Sequence, residues 1–286
     1  PTCNWSGENT TWKNSPVSII LTGIDNHEMN SSKTTYTRTY NESGIELEKD
    51  NLSFDVEDEA GNVTKCSKTV NVYYDKKKPV ITSIDNPTKG NWVNYDFSVK
   101  LNTTEKGSGL QDVYYSYPSK PEWTKEKASI DGNIVTSTPF SAERNELAYF
   151  NVCDRAGNCS EQASTQIRID KTAPTVQILT SLENHTNETL GKQRKVTLIV
   201  SDNDGGSGLN KDSVCTYYHS VASGVGSFKI GHWPDKEGSK KYYAGFGYSD
   251  NSNNTLTVNC KITDVASNIT NFKFHCNYGE KKCYED

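Results

Sequence analysis

What this chain of 286 residues lacks narrows its class. Methionine occurs once, no apolar run approaches the length of about 18 residues needed to span a bilayer, and no apolar segment keeps a helical period. Membrane helices and helical bundles are therefore out of the reading, and no secretory signal is present. There is no basic face either. The net charge is −5, and the one cationic run, Lys76 to Lys78, falls in a junction, which argues against nucleic acid as a partner. No CxxC pair, HExxH, GxSxG or phosphate-cradling glycine loop occurs, and the five histidines (His27, His185, His219, His232 and His275) are scattered. Catalytic residues are therefore not assigned, and a non-enzyme is expected.

What is present is a five-residue phrase in three copies: Asp58-Glu-Ala-Gly-Asn62, Asp154-Arg-Ala-Gly-Asn158 and the degraded Asp264-Val-Ala-Ser-Asn268. Each follows an alternating apolar run: Leu52, Phe54 and Val56; Ala148, Phe150 and Val152; Val258, Cys260 and Ile262. Period two marks strands with one buried face, and Ala-Gly-Asn between such strands reads as a tight hairpin. A second phrase, Tyr74-Asp-Lys-Lys-Lys-Pro79 and Ile169-Asp-Lys-Thr-Ala-Pro174, follows each return strand. Proline cannot continue a ladder, so these are junctions, and they divide the chain into units 1–78, 79–173 and 174–286, the last with a long central insertion. Pro1 stands where Pro79 and Pro174 stand, which suggests a piece of a longer array, with signal peptide and any anchor outside it.

Eight cysteines without zinc-ligand spacing read as disulfides, and hence as an oxidising, extracytoplasmic setting. Sequence alone does not fix connectivity, but strand position suggests pairs. Cys153 and Cys159 flank a hairpin. Cys260 takes the inward position of Phe54 and Phe150, with Cys215 on the strand expected beside it. Cys3 and Cys66 fall on the first and last strands of the first unit, which are expected to pair, and Cys276 and Cys283 close a short terminal loop.

Together the D-x-A-G-N hairpin, Ile169-Asp-Lys-Thr-Ala-Pro-Thr-Val176, Gly-Ser-Gly-Leu at 107–110 and 206–209, and the strand-entry residues Trp12 and Trp92 resemble the bacterial immunoglobulin-like repeats of cell-surface and secreted proteins. The resemblance covers the whole chain and is weakest in the third unit, where Ser267 replaces glycine and the entry tryptophan is missing. It implies an all-β protein of three tandem immunoglobulin-like Greek-key β-sandwiches of seven strands each, in an elongated array. The functions it implies are spacer, stalk or adhesive segment of a bacterial surface protein, with other domains of the same protein as partners and no membrane contact by this segment.

Two candidate sites follow. Asp170 from the second junction, Asp202 and Asp204 from the loop before Gly-Ser-Gly-Leu, and Asp264 from the hairpin supply the hard oxygen ligands that calcium prefers, and Asp75, Glu105 and Asp154 form a thinner set one unit earlier. Against this, the hairpin aspartates are expected to accept backbone N–H bonds in their own turns, with no cofactor. The insertion from Ser220 to Asn254 is rich in glycine and aromatics. Its Trp233, Tyr242, Tyr243 and Phe246 could stack on a glycan or contact a host protein, or simply cover a longer sheet. A third reading makes the chain an accessory region of a large secreted enzyme.

Overall fold

The structure is a computed structural model that describes residues 1–178, 183–187, 191–195, 198–220, 225–229 and 255–286. The described residues are all-β, with antiparallel pairing throughout the named sheets. Two compact units emerge. One comprises Pro1–Pro87, Ser98–Pro139 and Leu147–Thr165, the other Thr88–Phe97, Phe140–Glu146 and Gln166–Asp286, a division that runs through the middle repeat rather than along Pro79 and Pro174.

In the first unit, β1 (Thr2–Ser6), β2 (Val17–Ile24) and β3 (Thr35–Tyr40) form one sheet, and β4 (Glu46–Glu57) with β5 (Val63–Asp75) a second. Alternation does the sorting. Val17, Ile19 and Leu21 of β2 are buried every second residue, and Val17 and Ile19 meet Leu52, Val70, Val72 and Tyr74 of the facing pair. This first repeat has five strands, not the seven that the resemblance implies. Asp25 to Thr34, rich in Asn and Ser, makes only a single bridge, Met29 to Asp58, where another strand would run.

The middle repeat is fuller. Its β6 (Val80–Asp85), β7 (Lys100–Thr104), β10 (Ser129–Asp131) and β11 (Ile134–Thr136) give the order β10-β11-β7-β6. Its β8 (Leu110–Tyr117), β9 (Lys120–Glu126), β12 (Arg144–Asp154) and β13 (Ala163–Ile169) give β13-β12-β8-β9. Read in chain order these are the D-E-B-A and G-F-C-C′ sheets of an immunoglobulin-like sandwich.

In the second unit β14 (Thr175–Ile178) pairs with β17 (Leu198–Ser201), and β15 (Glu183–Asn187) with β16 (Gly191–Lys195). Facing the β14–β17 pair is a five-stranded sheet, β19-β18-β20-β21-β22, of Val225–Lys229, Val214–His219, Thr255–Thr263, Ile269–Asn277 and Lys282–Glu285. Ile178, Leu198 and Val200 pack on Leu256, Val258, Ile262, Phe272 and Phe274 in its core.

Candidate functional site: an aspartate clasp at each linker

The repeated phrase builds one turn three times. Asp58 accepts the Asn62 backbone N–H at 2.8 Å and the Asn62 side-chain N–H at 2.7 Å. Asp154 does the same with Asn158 at 2.9 and 2.8 Å, and Asp264 with Asn268 at 2.8 and 2.7 Å. Two-point capture by a carboxylate fixes the amide's orientation. The residue before the Asn must turn left-handed: Gly61 (φ 84°), Gly157 (φ 91°) and, in the degraded copy, Ser267 (φ 75°).

In the last two copies the oriented amide has a second task. Asn158 donates to the main-chain carbonyl of Asp75 at 3.0 Å, and Asn268 to that of Asp170 at 2.8 Å. Asp75 and Asp170 are the aspartates of the two Asp-Lys junctions, and both are fully buried. Their carboxylates complete a clasp. Asp75 Oδ2 accepts the Ser108 N–H at 2.9 Å and its hydroxyl at 2.7 Å, and Asp170 Oδ2 accepts the Ser207 N–H at 2.6 Å. The other oxygens take the N–H of Lys77 at 2.9 Å and Thr172 at 3.1 Å. Each serine hydroxyl then receives the hairpin alanine N–H, Ala156 at 3.3 Å and Ala266 at 3.0 Å. The backbone before each clasp is pinned in the same way, with Asp75 N–H donating to Lys13 and Asp170 N–H to Val93, one residue beyond Trp12 and Trp92.

The glycine that opens each Gly-Ser-Gly is a matter of room. A Cβ on Gly107 would lie 2.7 Å from Asp75 Oδ2 and 2.7 Å from Glu46 Cβ, and one on Gly206 would lie 2.9 Å from Asp170 Oδ2. Only the residue without a side chain lets the loop reach the carboxylate.

Each clasp gathers carboxylates. Oxygens of Asp75, Glu105 and Asp154 fall within 4.8 Å of one another, as do those of Asp170, Asp202 and Asp264; Asp204 stands outside its group. Burial pushes the Asp154, Asp264 and Glu105 carboxyls above their ordinary values, and the charges of neighbouring carboxylates add to the rise. Asp58 makes the same two bonds to Asn62 outside any such group and is held below its ordinary value by them. The grouped carboxylates have N–H partners in the chain itself: Gly109 donates to Glu105 at 3.3 Å and Gly208 to Asp202 at 2.6 Å, beside the bonds already given. What this arrangement does is fasten a linker to the loop and hairpin beyond it.

The cysteines are joined as Cys3–Cys66, Cys153–Cys159, Cys215–Cys260 and Cys276–Cys283, and no described cysteine is free. The last three bridge residues facing each other across antiparallel pairs, with Cα separations of 4.1, 4.0 and 3.9 Å. The first differs from its expected basis. Strands β1 and β5 do not pair; they lie in different sheets, so Cys3–Cys66 crosses the sandwich at a Cα separation of 5.9 Å. Trp233, Tyr242, Tyr243 and Phe246 lie outside the described residues. In the sequence the hairpin asparagines stand only as turn residues, and Gly-Ser-Gly-Leu only as a mark of the repeat. Their signal was the recurrence of Asp-Lys, Gly-Ser-Gly and Gly/Ser-Asn at matching places in successive repeats.

Comparisons with known proteins give only distant similarities to solved structures. No protein family matches the sequence, and no curated protein does. Among solved structures, the chain is similar to part of a 1.5-MDa bacterial ice-binding adhesin described in connection with host cell surface retention, at 12% identity and a TM-score of 0.37, covering 92% of this chain and 90% of that one. It is also similar to the FN1–FN3 domains of chicken CNTN1, at 8% identity and a TM-score of 0.29, covering 95% and 96%. A third similarity, at 13% identity and a TM-score of 0.24, is to the gamma-CGTase of alkalophilic Bacillus clarkii, and it covers 94% of this chain and 37% of that enzyme. The immunoglobulin-like class rests on the strand order itself, whatever these similarities.

Proposed function

We propose that the chain is a non-catalytic, extracellular spacer or adhesion segment made of three tandem immunoglobulin-like repeats whose linkers are held by the aspartate clasps. The observation that carries this reading is the recurrence of one bonding pattern at both linkers: buried aspartate, Gly-Ser-Gly loop and hairpin asparagine. A linker meant to flex would be a solvated Gly/Ser run, whereas these are short, capped by proline, and bonded through side chain and main chain alike. Four disulfides fit an oxidising compartment outside the cell.

Single-molecule pulling on the intact chain tests the proposal. The native chain should open at higher force than Asp75→Ala/Asp170→Ala, whose hairpins and disulfides are otherwise unchanged. Equal opening forces would contradict a mechanical role for the clasps.

A further inference from the structure

The outer face of the five-stranded sheet carries an organised array that the clasp does not use. Register places three rows across it. Val225, Tyr218, Thr257, His275 and Tyr284 face one another in turn; next come Ser227, Thr216, Asn259 and Lys273, with Asp286 at the end; then Lys229, Val214, Lys261 and Asn271. Five strands at the usual spacing make each full row about 19 Å long. Inward neighbours Cys215, Val258, Cys260, Phe272 and Phe274 are core residues, so the alternate residues of these rows point to solvent.

Tyr218 is 52% and Tyr284 40% exposed, and neither belongs to the buried core cluster. Tyr284 stacks on His275 with centroids 5.4 Å apart at an interplanar angle of 25°. The platform is braced. Glu280 accepts the Tyr284 hydroxyl at 2.7 Å, while Asp286 holds both the His275 ring and the Lys273 ammonium, the latter at 2.7 Å. Beside it lies an open concavity of about 460 Å³ lined by Thr216, Asn259, Lys261, Asn271, Lys273 and Asp286 and by the apolar Val214, Cys260 and Phe272.

We propose that this face binds an acidic oligosaccharide. Flat exposed rings beside a row of amides, hydroxyls and ammonium groups suit a sugar chain: ring C–H groups can stack on Tyr218 and on the Tyr284–His275 pair, and sugar hydroxyls exchange hydrogen bonds with Asn259, Asn271 and Thr216. A protein partner would call for an enclosed apolar anchor pocket, whereas this open concavity mixes apolar surface from Val214 and Phe272 with the amides of Asn259 and Asn271 and the ammonium groups of Lys261 and Lys273. Charge favours an acidic sugar at Lys261. Lys229, Lys261 and Lys273 bring three ammonium groups to one face of a chain whose net charge is −5; Asp212 pairs with Lys229, Asp286 with Lys273, and Glu280 sits on Tyr284, while Lys261, in the concavity, has no ion pair among the described residues. Bracing of the rings before binding lowers the ordering cost. Carboxylate- and sulfate-bearing sugars share this chemistry.

Calorimetric titration of the intact chain tests it with a short oligouronate, a sulfated oligosaccharide, a neutral oligosaccharide of equal length and polyglutamate. At least one acidic sugar should bind saturably, more weakly at high salt. Its affinity should fall about three- to tenfold in Tyr218→Ala, and again in Lys261→Glu, from the loss of one stacking ring and one ammonium group. Trp123→Ala, a change at an exposed residue of the first unit, should bind as the native chain does. The proposal is overturned if neither acidic sugar binds, if the neutral sugar or polyglutamate binds as tightly, or if Tyr218→Ala/Lys261→Glu, folded by circular dichroism, keeps native affinity.

Discussion

Asn268 donates its side-chain N–H to the main-chain carbonyl of Asp170, 98 residues earlier, at 2.8 Å, while the same amide is gripped by Asp264 at 2.7 Å. One buried side chain thereby ties a hairpin to a linker. Asn268→Ala removes both bonds and leaves a buried carbonyl and carboxylate oxygen short of a donor, so a loss of about 1–3 kcal/mol is expected in equilibrium unfolding. A change under about 0.5 kcal/mol would mean that water replaces the amide at no cost.

Gly107 and Gly206 separate spatial need from backbone conformation, because neither has a positive φ. Gly107→Ala puts a methyl group against Asp75 and Glu46, and the expected cost is roughly 1–3 kcal/mol by overpacking. Gly205→Ala, where nothing lies near the new carbon but φ is +81°, should cost about 1 kcal/mol through the backbone instead. Thermal unfolding of the two variants, with Gly107→Ala the worse, checks the assignment.

Ser267 holds a left-handed conformation that glycine holds in the other two hairpins. Relieving it is worth about 1–2 kcal/mol, while glycine's greater unfolded-state freedom takes back about 0.4–1. Ser267→Gly should therefore stabilise the chain by about 0.5 kcal/mol or slightly more, read as a rise in the unfolding midpoint. A fall would show that the serine side chain contributes something the glycine copies lack.

The hairpins were legible in the sequence because their signals are local: period-two burial on either side of Asp-x-Ala-Gly/Ser-Asn fixes both strands and turn. The clasp was not, since Asp75 ends β5, Ser108 precedes β8 and Asn158 lies between β12 and β13, and no local pattern declares that the three meet. The same limit explains the first repeat, where Asp25 to Thr34 keeps the bridge at Met29 but not the strand. The cysteine pair Cys3–Cys66 was anticipated for a reason that fails, since its strands lie in opposite sheets. Tyr218 is separated in sequence from His275 and Tyr284 by two other strands, and only pairing brings the three into one row. Asp170, Asp202 and Asp264 came together because their loops share one end of the fold, whereas Asp204, two residues past Asp202, falls outside that group.

Acidity should act on the two kinds of carboxyl with opposite sign. Glu105, Asp154 and Asp264 have folded values raised above their ordinary 4.5, 3.8 and 3.8, so the folded chain holds their protons more tightly than the unfolded chain. Their charge therefore costs stability, progressively, as pH rises from those ordinary values through the raised ones. Glu8, Glu57 and Asp58, held below their ordinary values, contribute stability that is lost as pH falls through their lowered folded values. Glu105→Gln keeps an acceptor for Gly109 and removes one charge from the group around Asp75. It should raise the unfolding midpoint at pH 7 more than at pH 4, and an equal change at both would contradict the electrostatic part of the account.

Amide hydrogen exchange, resolved by residue in Asp75→Ala and Asp170→Ala, reaches the clasp itself. Asp75→Ala should speed exchange at Ser108 and Ala156 while Ser207 and Ala266 keep native protection, and Asp170→Ala should give the reverse. If Ser108 exchanges in Asp75→Ala as slowly as in the native chain, the linker aspartate does not hold the loop and the clasp is not what fastens these repeats.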